Sequence, residues 1–157
     1  MRPVGFDRTN PVHWLAFGLG SGFAPKAPGT CGSAAGVLLY LPLADLPLTI
    51  RCAVIIFAFA AGAWICGSTS RQLGGHDHGG IVWDEFVGVW ITLTAVPLTP
   101  SGLLCGFLLF RLLDIVKPWP IKWVDKELHG GLGIMLDDAI AGILAALGLR
   151  VFYLLVY

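Results

Sequence analysis

Five acidic residues, Asp84, Glu85, Asp114, Asp137 and Asp138, stand inside or beside strongly apolar sequence. A carboxylate near the centre of a membrane helix costs about 2.5–3.5 kcal/mol, so five of them uncompensated would cost on the order of 15 kcal/mol. A whole domain is stable by only about 5–15 kcal/mol. The acids are therefore expected near an interface, sharing compensation from a divalent cation, from Arg111 and Lys117, and from helix N-termini, whose partial positive charge favours acids in the first turn. Simple helix capping explains Asp137 alone better than it explains a set with two adjacent pairs. Carboxylates gathered beside basic residues favour Mg²⁺, a hard cation that takes one or two carboxylates and completes its shell with water and phosphate oxygens. The chemistry these residue types point to is a shared metal and phosphate site.

Arg111, Asp114 and Lys117 recur every three residues in RLLDIVKPWP and so share a helix face. A guanidinium and an ammonium there are suited to holding a phosphate while Asp114 ligates metal; the competing reading is an internal Arg to Asp pair. The prolines that follow end the helix. The segment Gly18 to Ser33, GLGSGFAPKAPGTCGS, precedes an apolar helix and offers Lys26, Thr30 and Ser33 as phosphate-binding candidates. Such a loop can present backbone N–H groups to an anion at a helix N-terminus. It is not a Walker A loop, because no Gly-Lys-Ser/Thr follows the glycines, and an ordinary connection is an equal reading. Cys105 and Arg111 have the spacing of a cysteine phosphatase loop, but GFLLF between them is apolar and gives a thiolate no polar cradle. His76 and His78 flank Asp77 in GGHDHGG and read as decoration of a solvated turn before metal ligands.

The elements that must position these groups are apolar. Of 157 residues, 56% are hydrophobic and 13% charged, with a mean hydropathy of +0.78, against about 25% charged in soluble domains. The length fits one domain over residues 1–157. Ten Lys and Arg balance ten Asp and Glu, so no basic field recruits nucleic acid. Cys31, Cys52, Cys66 and Cys105 are too dispersed for a disulfide framework or zinc site and read as unpaired and structural. Charges and prolines open the N-terminus, unlike a cleavable signal peptide.

The apolar runs predict an all-α bundle of about four to five short membrane helices, near Gly32 to Leu46, Arg51 to Gly67, Ile81 to Val96, Gly102 to Val116 and Ile134 to Tyr157. Each run is short for a bilayer core that asks for about 20 residues, yet the first two show no polar stripe that a soluble bundle would need. Thr9 to Gly20 reads equally as an interfacial or a re-entrant helix. Arg2, Arg8, Lys26, Arg71, Lys117, Lys122 and Lys126 fall on one side and only Arg51 and Arg150 on the other, which places the N-terminus and the two polar turns in the cytoplasm. Asp84 lies one helical turn before Gly88, and Asp138 one turn before Gly142. Glycines there would let two helices approach closely and bring the acidic segments face to face.

GSGF followed by PGTCGS, then HDHGGIVWDEFVGVWITL, then FRLLDIVKPWPIKWVDKELHGGLGIMLDDAIAG resemble the phosphatidylglycerophosphatase A family, in order, over roughly Phe17 to Gly142. IVWDEFVG, KPWPI and GGLGIMLDD in combination make the likeness specific. The resemblance implies a multi-pass enzyme of the bacterial inner membrane that removes the terminal phosphate of phosphatidylglycerophosphate with Mg²⁺ during phospholipid synthesis. By position it carries metal ligation to Asp84, Glu85, Asp137 and Asp138, and the Arg-x-x-Asp-x-x-Lys-Pro element to Arg111, Asp114, Lys117 and Pro118. Asp138 is the first choice for a base or nucleophile. The rival from another class is a small transporter or channel subunit whose intramembrane acids bind an ion, and it predicts acids near the middle of spans.

Overall fold

The computed structural model describes residues 5–74 and 78–156, and its elements are all helical. His76 and Asp77 lie outside the described residues. Five long helices form where the apolar runs predict them, with displaced ends: α2 Pro28–Ala44, α3 Leu48–Gln72, α4 Trp83–Leu93, α5 Pro100–Val116 and α7 Gly130–Val156. The short helix α1 Pro11–Ala16 falls within Thr9 to Gly20, whereas the short helix α6 Ile121–Glu127 and the 3-10 segment Gly18–Phe23 were not anticipated as such. Local chemistry sets several boundaries. The Asn10 side chain accepts from Val12 N and Thr99 from Gly102 N, each followed by proline at the first helical position. α5 ends at Lys117, which adopts the left-handed region (φ 45°) just before Pro118.

The expectation of uniformly short helices fails for α3 and α7. With 25 and 27 residues they run about 37 and 40 Å at 1.5 Å per residue, more than a bilayer core of about 30 Å. α3 continues past Gly67 because its polar last turns face the protein: Thr69 and Ser70 are buried, and the Gln72 carboxamide oxygen lies 2.9 Å from His13 Nε2 of α1. α7 starts four residues before Ile134 because its opening glycines are pressed against α3. A Cβ at Gly131 would lie 1.8 Å from the Ala63 carbonyl oxygen. Close tertiary approach here overrides the low helix propensity of glycine.

α4 is the central helix, with Phe86, Val87, Gly88, Val89, Trp90, Thr92 and Leu93 all buried. It packs on α2, α3, α5 and above all α7. The expected glycine crossing is present: a Cβ at Gly142 would meet the Gly88 carbonyl oxygen at 2.4 Å, and one at Gly88 would meet the Asp138 carbonyl oxygen at 2.8 Å. The Thr92 hydroxyl lies 3.1 and 3.2 Å from the carbonyls of Gly88 and Gly142, joining the two backbones. The Trp90 indole N–H donates to Gly36 O and that of Trp83 to Ala58 O, tying α4 to α2 and α3. The outer surface is apolar, with Leu38, Phe57, Leu108, Leu147 and Leu154 among many exposed large side chains. None of the four cysteines is in a disulfide, and only Cys66 is buried.

Candidate active site

Helix direction brings the acids together. α2 and α4 begin, and α5 ends, at the same level of the bundle, while α7 passes through it. Asp84 and Glu85 occupy the first turn of α4, where an acid complements the helix dipole. Asp114 stands in the last turn of α5. Asp137 and Asp138 differ from expectation: they lie about two turns inside α7, not at its start, and so gain nothing from its N-terminus. Their compensation must come from side chains or a bound cation.

The ligand oxygens of Asp84, Glu85 and Asp138 lie within 4.8 Å of one another, and those of Asp114, Asp137 and Asp138 do the same. Asp138 belongs to both groups. The expected metal set of Asp84, Glu85, Asp137 and Asp138 is thus brought together but divided, with Asp114 joining Asp137 in the second half. Asp138 is only 3% exposed and Asp137 7%. Asp137 Oδ1, Asp138 Oδ2 and Glu85 Oε2 are buried with no hydrogen-bond donor. Buried acceptor oxygens without donors, grouped at this spacing, fit a hard divalent cation such as Mg²⁺.

Arg111 faces the same space. Its guanidinium is paired with Asp114 at 2.5 Å and lies 4.0 Å from Glu85, while Nη1 donates to Ser33 Oγ at 3.3 Å. The internal Arg to Asp pair weighed from spacing therefore exists. It does not exhaust the guanidinium, because Arg111 Nε is buried with no acceptor. Ser33 donates its own hydroxyl to Gly29 O, so it supports Arg111 from α2. Thr30 is half-buried in the first turn of α2, and Lys26 is exposed on the turn before it. Lys117 is committed elsewhere than expected. Its ammonium donates to Asp125 of α6 at 2.6 Å and to Asp137 at 2.7 Å. Burial pulls its pKa down, but the bonds to the two carboxylates outweigh this and hold it above the usual lysine value.

Two contributors were not found from sequence. A Cβ at Gly29 would lie 2.3 Å from Glu85 Oε1 and 3.2 Å from an Arg111 nitrogen, so the missing side chain lets the start of α2 abut the acids. The glycine of PGT was visible, but not what it faces. Asp125 anchors Lys117, and in WVDKE nothing separates it from a solvated acid.

Residues 14–153, which include every residue of the acidic site, match the model of the family named Phosphatidylglycerophosphatase A. The chain belongs to the phosphatidylglycerophosphatase A family. It is 46% identical over 139 residues to phosphatidylglycerophosphatase A of Escherichia coli (strain K12), covering 88% of this chain and 81% of that one. It is 48% identical over 141 residues to the protein of that name from Haemophilus influenzae (strain ATCC 51907 / DSM 11121 / KW20 / Rd), covering 88% and 86%. A third relative, from Bacteroides thetaiotaomicron, is 38% identical over 138 residues, covering 82% and 85%, and is named, provisionally, a phosphatidylinositol-3-phosphatase. No solved structure matches. Family membership agrees with the residues brought together here, since DEFVG, RLLDIVKP and LDDAIAG each supply an acid to the cluster.

Proposed function

We propose that this member of the phosphatidylglycerophosphatase A family hydrolyses the terminal phosphate monoester of phosphatidylglycerophosphate, giving phosphatidylglycerol. The observation that carries the reading is the convergence of four carboxylates from α4, α5 and α7 on a fifth, Asp138, beside the incompletely satisfied Arg111. Asp84, Glu85, Asp114, Asp137 and Asp138 would hold Mg²⁺, which when bound supplies a Lewis acid for phosphate oxygens. Arg111 orients the phosphate through Nε and the remaining N–H groups, with its own direction fixed by Asp114 and Ser33. Thr30 and the open α2 N-terminus at Gly29 border the same anion, and Lys26 meets it from solvent. Lys117 positions Asp137 and closes α6 over α7. Asp138 is common to both acid groups.

The location that suits this substrate is the bacterial inner membrane, with several passes and the site toward the cytoplasm. α3 and α7 are long and apolar enough to cross. Lys26, Arg71, Lys117, Lys122 and Lys126 gather at the site end, with Arg51 and Arg150 toward the other. A transporter or channel is not favoured, because Asp84, Glu85 and Asp114 stand in terminal turns and not midway along spans.

Detergent-purified protein is expected to release phosphate from phosphatidylglycerophosphate with Mg²⁺ and to stop when the metal is chelated. Asp84→Asn and Asp138→Asn should each abolish turnover in protein that still inserts and keeps its helical circular dichroism. Turnover that survives chelation or both substitutions would overturn the site.

A further inference from the structure

The two acid groups invite a count of the ions they serve. Asp84 and Glu85 come from α4, Asp114 from α5, and the groups meet only in Asp138 of α7. Mg²⁺ demands near-octahedral geometry, gives up water reluctantly and takes one or two carboxylates. Five around one ion is out of character. Two carboxylate oxygens independently call for a ligand: Asp137 Oδ1 and Asp138 Oδ2 lack any hydrogen-bond donor, and both residues are more than nine-tenths buried.

The charges say the same. Arg111 and Lys117 face six carboxylates, the five of the cluster and Asp125, which shares the Lys117 ammonium. One divalent ion would leave this network negative by two charges before a phosphate monoester dianion arrives, and by four afterwards. A second ion leaves it neutral before arrival and negative by two after. The second arrangement removes the repulsion of the dianion that this family's named substrate carries.

Resting on the metal reading above, we propose that the site holds two divalent cations, one between Asp84, Glu85 and Asp138 and one between Asp114, Asp137 and Asp138. Asp138 would serve both, as the residue common to the two groups. Paired ions of this kind stand about 3.5–4 Å apart and clamp the oxygens of a phosphate between them.

Mn²⁺ is the probe. Chelator-stripped, detergent-purified full chain is dialysed against Mn²⁺, bound metal is measured by elemental analysis, and low-temperature electron paramagnetic resonance reports spin coupling. Two equivalents per chain with an exchange-coupled signal, both displaced by excess Mg²⁺, are expected. Asp84→Asn and Asp114→Asn should each leave one equivalent with an uncoupled six-line spectrum. A single uncoupled equivalent in the unaltered protein, or two coupled equivalents persisting in Asp114→Asn, would overturn the pair. If either variant fails to fold, the stoichiometry and coupling of the unaltered chain decide alone. One bound ion with Mg²⁺-dependent turnover would remove the pair and leave the phosphatase reading standing. No bound ion with chelator-resistant turnover would remove both.

Discussion

At the scale of single residues the site is built on Arg111 and Lys117 doing different work. Arg111 keeps a buried donor without an acceptor, so Arg111→Ala should lower kcat on phosphatidylglycerophosphate by about 10²–10³, as loss of one donor to developing charge does elsewhere. Arg111→Lys should recover little, because an ammonium cannot hold Asp114, Ser33 and a phosphate in one plane. Lys117 is instead a clamp. Breaking a buried ion pair costs about 3–5 kcal/mol, and with the Lys117 side chain 28% exposed the loss in Lys117→Met should be nearer 1–3 kcal/mol. The raised folded pKa fixes the sign of its pH dependence: the contribution is whole below the ordinary lysine value of 10.5 and fades only above it. Thermal melts of Lys117→Met should therefore drop equally at pH 6 and pH 9. The acids themselves were legible in sequence, because charge inside apolar sequence needs a reason that surface charge does not. Gly29 and Asp125 were not legible, because their roles lie in what other segments bring to them.

Among elements, the glycine crossings fix the spacing of the acids. A methyl at Gly142 would enter the Gly88 carbonyl oxygen at 2.4 Å, so Gly142→Ala should cost about 1–3 kcal/mol or force the helices apart. Gly148 on the same helix has only Leu109 Cδ2 near, at 3.6 Å. Gly148→Ala should be neutral or stabilising by up to about 1 kcal/mol, since alanine favours helix over glycine. Denaturation in detergent compares the two. The Asp84 to Gly88 and Asp138 to Gly142 spacing showed this crossing in advance. The lengths of α3 and α7 stayed hidden, because polar Ser68 to Gln72 and glycine-rich Gly130 to Gly133 become helical only when neighbouring helices enclose them. α6 escaped notice for a similar reason: only Ile121 and Val124 turn inward.

For the whole molecule, the ring of exposed leucines, isoleucines and phenylalanines makes lipid or detergent the solvent of most of the surface. The composition already implied this. What composition did not contain is that a helix of 11 residues, too short to cross, forms the centre, sheathed by α2, α3, α5 and α7. The Asp138 carbonyl rests against Gly88 while the Asp138 side chain joins both acid groups, so the helix contact and the carboxylate spacing are set by one residue. A force that tilts α7 against α4 therefore alters the spacing of the carboxylate oxygens. Turnover measured in vesicles of graded acyl-chain length should pass through an optimum at one bilayer thickness and fall on either side, with substrate headgroup and ion concentrations held constant. The enzyme would then register the thickness of the very membrane whose lipids it finishes.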